Sequence, residues 1–525
     1  MIFQKTASFI EKQIFFILFV MVVWLLVRNS FSVATEFFFW KDDWFLKWSA
    51  LYNPNSFYKG FNYWLLRFPE FYLRVLITDS VIWQRIGLVM KFINSIIFYF
   101  FIQTLFKNKK MAVAGSMLYA SYSGGMEIYT WAILNTLLIP IVLGGIIAFD
   151  KFLQTQKIRF LIGTGISFLL SNILYFGRTL GMIPFFLFWF ALYEMNSTKL
   201  NYKKLKISIL FLLSTLSFFV LNFFAGFISG QNWKPQFFLE GLQQYPIFFA
   251  SLGNLLRIPF SRHYEIGGLT EFSAISMWIG IGGLILCVVT TSLFTYTKRQ
   301  VFYWIAVFLS WAYFLYFFNW MYGGGGVSTL VGSAHRYLAL SAMSLLIIWS
   351  LLLSYLRGKW FYVILFLLIS MNLDYSHFIV GNDLKVRDRI KIESLYKEIN
   401  QILDKDDDVQ VLILDTPNEL KSFVVQGWYP FTYAYYKGLS GTNKFPTIIA
   451  ESEAGQKWIC ADKSEKQQIA NMAGFVDYRN DTVLYKEHIY WFTISEDGNL
   501  KDRTLELYSN IQDCKNVMTE TSMQQ

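Results

Sequence analysis

Between Phe9 and about Phe378 the chain is a succession of apolar runs broken by short polar segments, and after Asn382 the pattern changes to that of ordinary water-soluble protein. A helix that crosses the hydrocarbon of a bilayer needs roughly 20 mostly apolar residues, and on that measure about eleven candidates follow one another. They lie near 9–28, 86–106, 110–123, 128–149, 159–176, 180–194, 206–228, 273–295, 301–319, 336–356 and 359–377. The runs at 110–123 and 180–194 are short, which suits helices that end inside a cavity rather than at the headgroups. The first run has no small-residue cleavage site after it (Arg28-Asn29-Ser30-Phe31), so it reads as a retained helix and not as a removed signal.

Polar residues between the runs give the bundle a direction. Lys107, Lys109 and Lys110 follow the second run; Lys151, Lys157 and Arg159 the fourth; Lys199, Lys203, Lys204 and Lys206 the sixth. Lys298 and Arg299 follow the eighth, and Arg357 and Lys359 the tenth. Basic residues in short loops mark the cytoplasmic side. All these clusters fall after even-numbered runs, so they share one side with the N-terminus, and an odd number of spans puts the C-terminal residues outside. The opposite face carries the long connections, at about 29–85, 229–272 and 319–335. Ordered loops of that length are usually functional. The first interleaves Trp, Tyr and Phe with Arg67, Arg74 and Arg85, a composition suited to helices lying in the membrane interface.

Composition agrees with this reading. Hydrophobic residues make up 55% of 525 and charged residues 16%, against about 25% charged in soluble chains. The net charge of +10 is explained by the loop cations, so nucleic acid is not an expected partner. Two domains follow: 1–381, membrane-spanning with the outer loop 29–85, and 382–525, extracytoplasmic. Runs such as Val409–Asp415, and a hairpin-like pair at 482–485 and 489–494, predict a small α/β domain for the second. Cys287 lies in an apolar run. Cys460 and Cys514 lie in the polar part, where a disulfide is open if that part is outside the cytoplasm.

Four polar constellations fall on the outer side. Asp42-Asp43, in Phe39-Trp40-Lys41-Asp42-Asp43-Trp44, reads either as a carboxylate able to deprotonate an acceptor hydroxyl or as a solvated loop pair beside Lys41 or Lys47. Glu127, in Ser123-Gly124-Gly125-Met126-Glu127-Ile128-Tyr129-Thr130-Trp131, is a lone acid at a helix tip; the plain alternative is a cap on the fourth helix. Arg178, before Thr179 and Pro184, interrupts an apolar stretch and suits a phosphate, or else snorkels to headgroups. His335-Arg336, at the start of the tenth run, reads as a phosphate site or as interfacial cations beside Tyr337. Arg262-His263 is a weaker cationic pair of the same kind. The run Gly323-Gly324-Gly325-Gly326 is not a nucleotide loop, because no strand precedes it and no Lys-Ser/Thr follows.

In that order and sidedness the residues resemble the GT-C superfamily of membrane glycosyltransferases, over roughly 9–356. The family's acidic pair in the first outer loop is matched by Asp42-Asp43. A His-Pro-x-x-x-Glu-x-x-x-Trp stretch of the related O-mannosyltransferases is matched by Glu127 and Trp131, without the His-Pro. A Lys-Glu before a proline-containing helix is matched by Arg178-Thr179, and a Glu-Arg-Tyr-Leu stretch by His335-Arg336-Tyr337-Leu338. The resemblance implies inverting transfer of a sugar from a polyprenyl-phosphate donor to an acceptor hydroxyl on a glycan, protein or lipid. Asp42, Asp43 and Glu127 are the implied catalytic acids, with Asp42 the preferred base. Arg178, His335, Arg336, Arg262 and His263 are the implied donor-phosphate ligands. Two acids of the family pattern are absent here, so no cofactor is carried over and a divalent metal stays open. The competing reading is a lipid-linked sugar transporter, which Lys91 and Asn172, polar residues within spans, keep in view.

Overall fold

A computed structural model describes residues 2–37, 39, 42–53, 73, 75–131, 133–174, 179–195, 206–214, 244–257, 265–266, 269–270, 273–322, 335–417, 429–473, 475–479, 481 and 483–519. In chain order its described α-helices are α1 (Ile2–Phe31), α2 (Asp42–Tyr52), α3 (Ser80–Phe106), α4 (Lys109–Ser121), α5 (Glu127–Trp131), α6 (Leu138–Thr155), α7 (Ile158–Leu174), α8 (Met182–Met195), α9 (Tyr245–Arg257), α10 (Ala274–Thr297), α11 (Gln300–Tyr322), α12 (Ala339–Ser354), α13 (Lys359–Arg387), α14 (Arg389–Leu403), α15 (Tyr429–Lys437), α16 (Ser452–Cys460), α17 (Lys463–Ala473) and α18 (Thr504–Asn510). The chain divides into two compact units, one of 1–35, 61–70 and 82–383, the other of 36–60, 71–81 and 384–525.

The first unit is helical. Seven of its described helical stretches are long and apolar enough to cross a membrane: Gln13–Glu36, Ser80–Phe106, Leu134–Thr155, Ala274–Thr297, Gln300–Phe318, Arg336–Ser354 and Lys359–Asn382. The protein is thus a multi-pass membrane protein. The difference from eleven lies in four elements. Helices α4, α7 and α8 are shorter apolar pieces, and the run at 206–228 is described as helix only over 206–214.

Burial separates the lipid-facing helices from the inner ones. α10 exposes Ile275, Trp278, Ile285 and Val288, and only 22% of its apolar window is buried. In Arg336–Ser354 the figure is 78%, so this helix is inside the bundle. α4 is inside as well, with Met111, Ala112, Ala114, Gly115, Ser116, Leu118, Tyr119, Ala120 and Ser121 all buried. Small residues allow this, since Gly115 sits where a Cβ would lie 2.2 Å from Ile102 and 3.0 Å from the Ser350 hydroxyl. Asn108 opens α4 by accepting a hydrogen bond from the Met111 amide at 3.1 Å.

The second unit contains a four-stranded sheet. With β1 (Glu265–Ile266) and β2 (Leu269–Thr270) counted in the first unit, its strands are β3 (Val411–Asp415), β4 (Thr447–Ile449), β5 (Leu484–Tyr485), β6 (Ile489–Ile494), β7 (Leu500–Asp502) and β8 (Val517–Met518). The sheet order is β4-β3-β6-β7. β3 runs parallel to both neighbours, and β7 is an antiparallel edge. Val411, Ile413, Ile449, Trp458, Ile489 and Trp491 are among its core residues. The hairpin expected from 482–485 and 489–494 does not form. Lys486–His488 make a 3-10 turn between the two strands, β5 pairs in parallel with β8, and β6 joins β3 instead. Burial explains the choice, because Ile489, Phe492 and Ile494 have the β3 side of the core to fill. Cys460 and Cys514 form a disulfide, and Cys287 is a buried free thiol.

Candidate functional site

In the first unit, α4 ends at Ser121 and a five-residue turn leads to Glu127, the first residue of α5. The turn needs Gly125, whose φ is +70° and whose missing Cβ would lie 2.2 Å from the Ala339 Cα. This close approach presses the turn onto the start of α12. Glu127 is thereby brought to the chain entering that helix, where Arg336–Leu338 form a 3-10 turn.

Three contacts converge on one oxygen of Glu127. Its Oε2 accepts the Arg336 main-chain N–H at 3.1 Å. Arg336 Nη1 lies 3.3 Å from the same atom, and His335 Nε2 lies 3.6 Å from it. The three side chains are only 12–15% exposed. Glu127 thus acts as an anion at a helix N-terminus, but that of the tenth run as well as its own short helix. His335 caps the 3-10 turn by accepting the Tyr337 amide at its Nδ1, 3.2 Å away. In the neutral ring the proton therefore sits on Nε2, directed at the Glu127 carboxylate. The Arg336 guanidinium lies 4.1 Å from the centre of the Trp131 ring and 5.1 Å from that of Tyr337. Trp131 stands one helical turn after Glu127 on α5, so a single short helix supplies both the acid and the stacking face. The result is a planar cation oriented by a carboxylate and an aromatic ring, with a histidine beside it. Such an arrangement can bind an oxyanion through charge-assisted, geometrically fixed hydrogen bonds.

The acidic pair falls in the other unit. Asp42 and Asp43 are not in a loop; they open α2, where acids complement the helix N-terminus. Asp43 is 2% exposed, which removes the solvated-loop alternative for that residue, and the Asp42 side chain lies outside the described residues. The buried face of α2 packs on protein. The Trp44 ring is 5.6 Å from Tyr435, Phe45 is 5.0 Å from Phe431, and Trp48 Nε1 donates to the Leu439 carbonyl at 2.6 Å. Lys47, also 2% exposed, rests its amine 3.4 Å from the centre of the Phe39 ring and 3.5 Å from the Thr78 carbonyl. Burial lowers its pKa to about 7, against the opposite pull of the Asp79 carboxylate.

Of the remaining expected phosphate ligands, Arg178, Arg262 and His263 lie outside the described residues. Trp131 and Tyr337 are the residues the chemistry adds. The i, i+4 spacing of Glu127 and Trp131 signals the first, but only when a helix begins at Glu127. As to a metal, Glu127 Oε2 is already engaged by the Arg336 guanidinium and the Arg336 main-chain N–H, and among the described residues no three His, Cys, Asp or Glu gather as a ligand set.

No family model and no curated protein matches the sequence. Solved structures similar to the chain include the archaeal oligosaccharyltransferase AglB from Archaeoglobus fulgidus, in complex with an inhibitory peptide and a dolichol-phosphate. It is 11% identical, with a TM-score of 0.44, over 92% of this chain and 70% of that one. Another is an oligosaccharyltransferase of the same organism in complex with Zn and sulfate, 11% identical, with a TM-score of 0.42, over 91% and 68% of the two chains.

Proposed function

We propose that this protein is a membrane glycosyltransferase that moves a sugar from a polyprenyl-phosphate donor to an acceptor hydroxyl on the extracytoplasmic face, with inversion. The observation that carries the reading is the Glu127–Arg336–His335–Trp131 cluster, where the short helix α5 meets the start of the most buried of the seven spans. In such a transfer the acceptor oxygen gives its proton to a carboxylate and attacks the anomeric carbon. The bond from that carbon to the phosphate oxygen breaks, and its electron pair leaves with the lipid phosphate. Charge grows on the leaving phosphate, and a pre-oriented guanidinium stabilises it without reorganising. Glu127 positions Arg336 and His335 for that task rather than serving as the base. The base is assigned to Asp42, with Asp43 beside it.

Orientation belongs to the same proposal. The Cys460–Cys514 disulfide supports an extracytoplasmic C-terminal unit, because such bonds persist in oxidising compartments. The two intramembrane polar residues that keep the transporter alternative in view both donate hydrogen bonds within the bundle. Lys91 donates to Ser30 Oγ and the Tyr122 carbonyl, and Asn172 Nδ2 donates to the Phe168 carbonyl.

The test is mass spectrometry of envelope glycans from cells with the protein, without it, and with Asp42→Asn or Arg336→Ala restored. Loss of one glycosylated species on deletion, not recovered with either variant, is the expected result. Full transfer by both variants refutes the residue assignment, and an unchanged glycan profile on deletion refutes the transferase reading.

A further inference from the structure

α4 is thirteen residues long, about 20 Å, and so cannot cross a hydrocarbon core of about 30 Å. Its C-terminus stops inside the protein: Ser121 and Ser123 are 0% exposed and Tyr122 is 5% exposed. A helix ending away from water leaves carbonyls that protein must satisfy.

Three successive carbonyls there are met by three different spans. Ser30, near the end of α1, donates to the Ala120 carbonyl at 2.8 Å. Ser376 of α13 donates to the Ser121 carbonyl at 2.9 Å. Lys91 of α3 donates to the Tyr122 carbonyl at 3.2 Å and to Ser30 Oγ at 3.1 Å, so it also orients the first of these groups. Lys91 is 1% exposed, and its amine lies 5.6 Å from the centre of the Phe31 ring. Ser95, one turn further along α3, has its carbonyl bonded by Ser116 Oγ at 2.7 Å, which fixes the register of α3 against α4. A fourth tie comes from Tyr122, whose hydroxyl donates to the Leu255 carbonyl of α9 at 2.8 Å.

Residue 122 is where the chain leaves α4, and five residues later it delivers Glu127 to Arg336 and His335. Hence we infer that Lys91 is a positioning residue: with Ser30 and Ser376 it pins the end of α4, and through the turn after it sets Glu127 against Arg336 and His335. An amine that donates to a carbonyl left over at a helix C-terminus is favourable on its own account. The placement gives it a second consequence, because a shift of the α4 end passes into a turn already pressed against Ala339. This inference rests on the proposed role of the Glu127 cluster.

Lys91→Met, purified in detergent, is the decisive variant, compared with wild type by infrared spectroscopy and by the envelope-glycan assay. The Glu127 carboxylate band is identified from the wild-type minus Glu127→Gln difference spectrum. In folded, monodisperse Lys91→Met protein that band is expected to shift or broaden, with transfer reduced on the order of 10- to 100-fold. An unmoved band in folded Lys91→Met overturns the inference, even if the melting temperature falls. Should Lys91→Met not fold, Ser30→Ala and Ser376→Ala, each deleting one donor to the same helix end, carry the test. Two wild-type bands overturn the inference, and a shift in either sustains it. If Glu127→Gln leaves the glycans intact, the proposed role of the Glu127 cluster fails, while the band still decides whether Lys91 sets Glu127.

Discussion

The pairing of Glu127 with Arg336 is open to a double-mutant cycle, with Glu127→Gln and Arg336→Met made singly and together. The charged atoms are 3.3 Å apart and both side chains are about nine-tenths buried. At an effective dielectric of about 20 their attraction alone is ~5 kcal/mol, an upper bound before desolvation is subtracted. The Arg336 main-chain N–H contact persists in Arg336→Met, so the cycle isolates the side-chain pair and leaves the helix-capping contribution out. Breaking one partner of a buried pair costs more than the pair contributes net, because the other charge is stranded. The expected coupling is therefore about 2 kcal/mol, with each single variant destabilising by more than that. Unfolding followed by titration of a denaturing detergent into mixed micelles gives the four free energies. Additivity within about 0.5 kcal/mol would refute the view that these two groups form one unit. The coupling should change little between low and high salt, since a buried pair is poorly screened.

Other perturbations probe separate parts of the molecule. Gly125→Ala places a Cβ against the Ala339 backbone at a φ of +70°, and should cost more than about 3 kcal/mol or abolish folding, read by the yield of monodisperse protein. Lys47 has its pKa lowered by burial from 10.5 to about 7. The unfolded chain then binds more protons than the folded one between those values, so the folded form gains stability as pH rises from about 7 toward 10.5 and loses it as pH falls back through 7. Lys47→Met should flatten the rise in melting temperature over that window; an unchanged pH profile would contradict the burial argument. Removing the disulfide with Cys460→Ser should destabilise the second unit by about 4 kcal/mol on loop-closure grounds, for a sequence separation of 54. In denatured, unreduced wild type, alkylation should then reach Cys287 alone.

How far the sequence could carry this structure is seen by comparing α4 with α12. Both are apolar runs, and hydropathy marks both, yet one is too short to span and the other is the most buried span of the bundle. Length signalled the first, and the polar residues at its end signalled that it stops inside. Nothing local signalled that Ser30, Lys91 and Ser376 would converge on that end, because they are spread over three helices and each by itself reads as an isolated polar residue in an apolar run. The cationic pair His335-Arg336 and the acid Glu127 were legible as chemistry, since charge beside a span is costly without a partner. Their mutual pairing was not, as it depends on a turn whose geometry is set by one glycine and by a helix more than two hundred residues later in the chain. Asp42-Asp43 was legible as an unusual pair, but not its place at the start of a helix whose Trp44 and Trp48 pack on Tyr435 and Phe431, because those partners lie nearly four hundred residues later.

The same comparison explains why the cluster sits where it does. Lipid-facing helices tolerate rotation and tilt, because one fluid neighbour replaces another. α4 and α12 are enclosed on nearly every side, so their ends are the points of the bundle least free to move. In the transfer proposed above, a guanidinium that must meet developing charge without rearrangement belongs on such an end. The cost is that the end of α4 lies out of water and its carbonyls must be satisfied there. Lys91 satisfies one, so on the inference above this intramembrane lysine follows from fixing the turn that leads from α4 to Glu127.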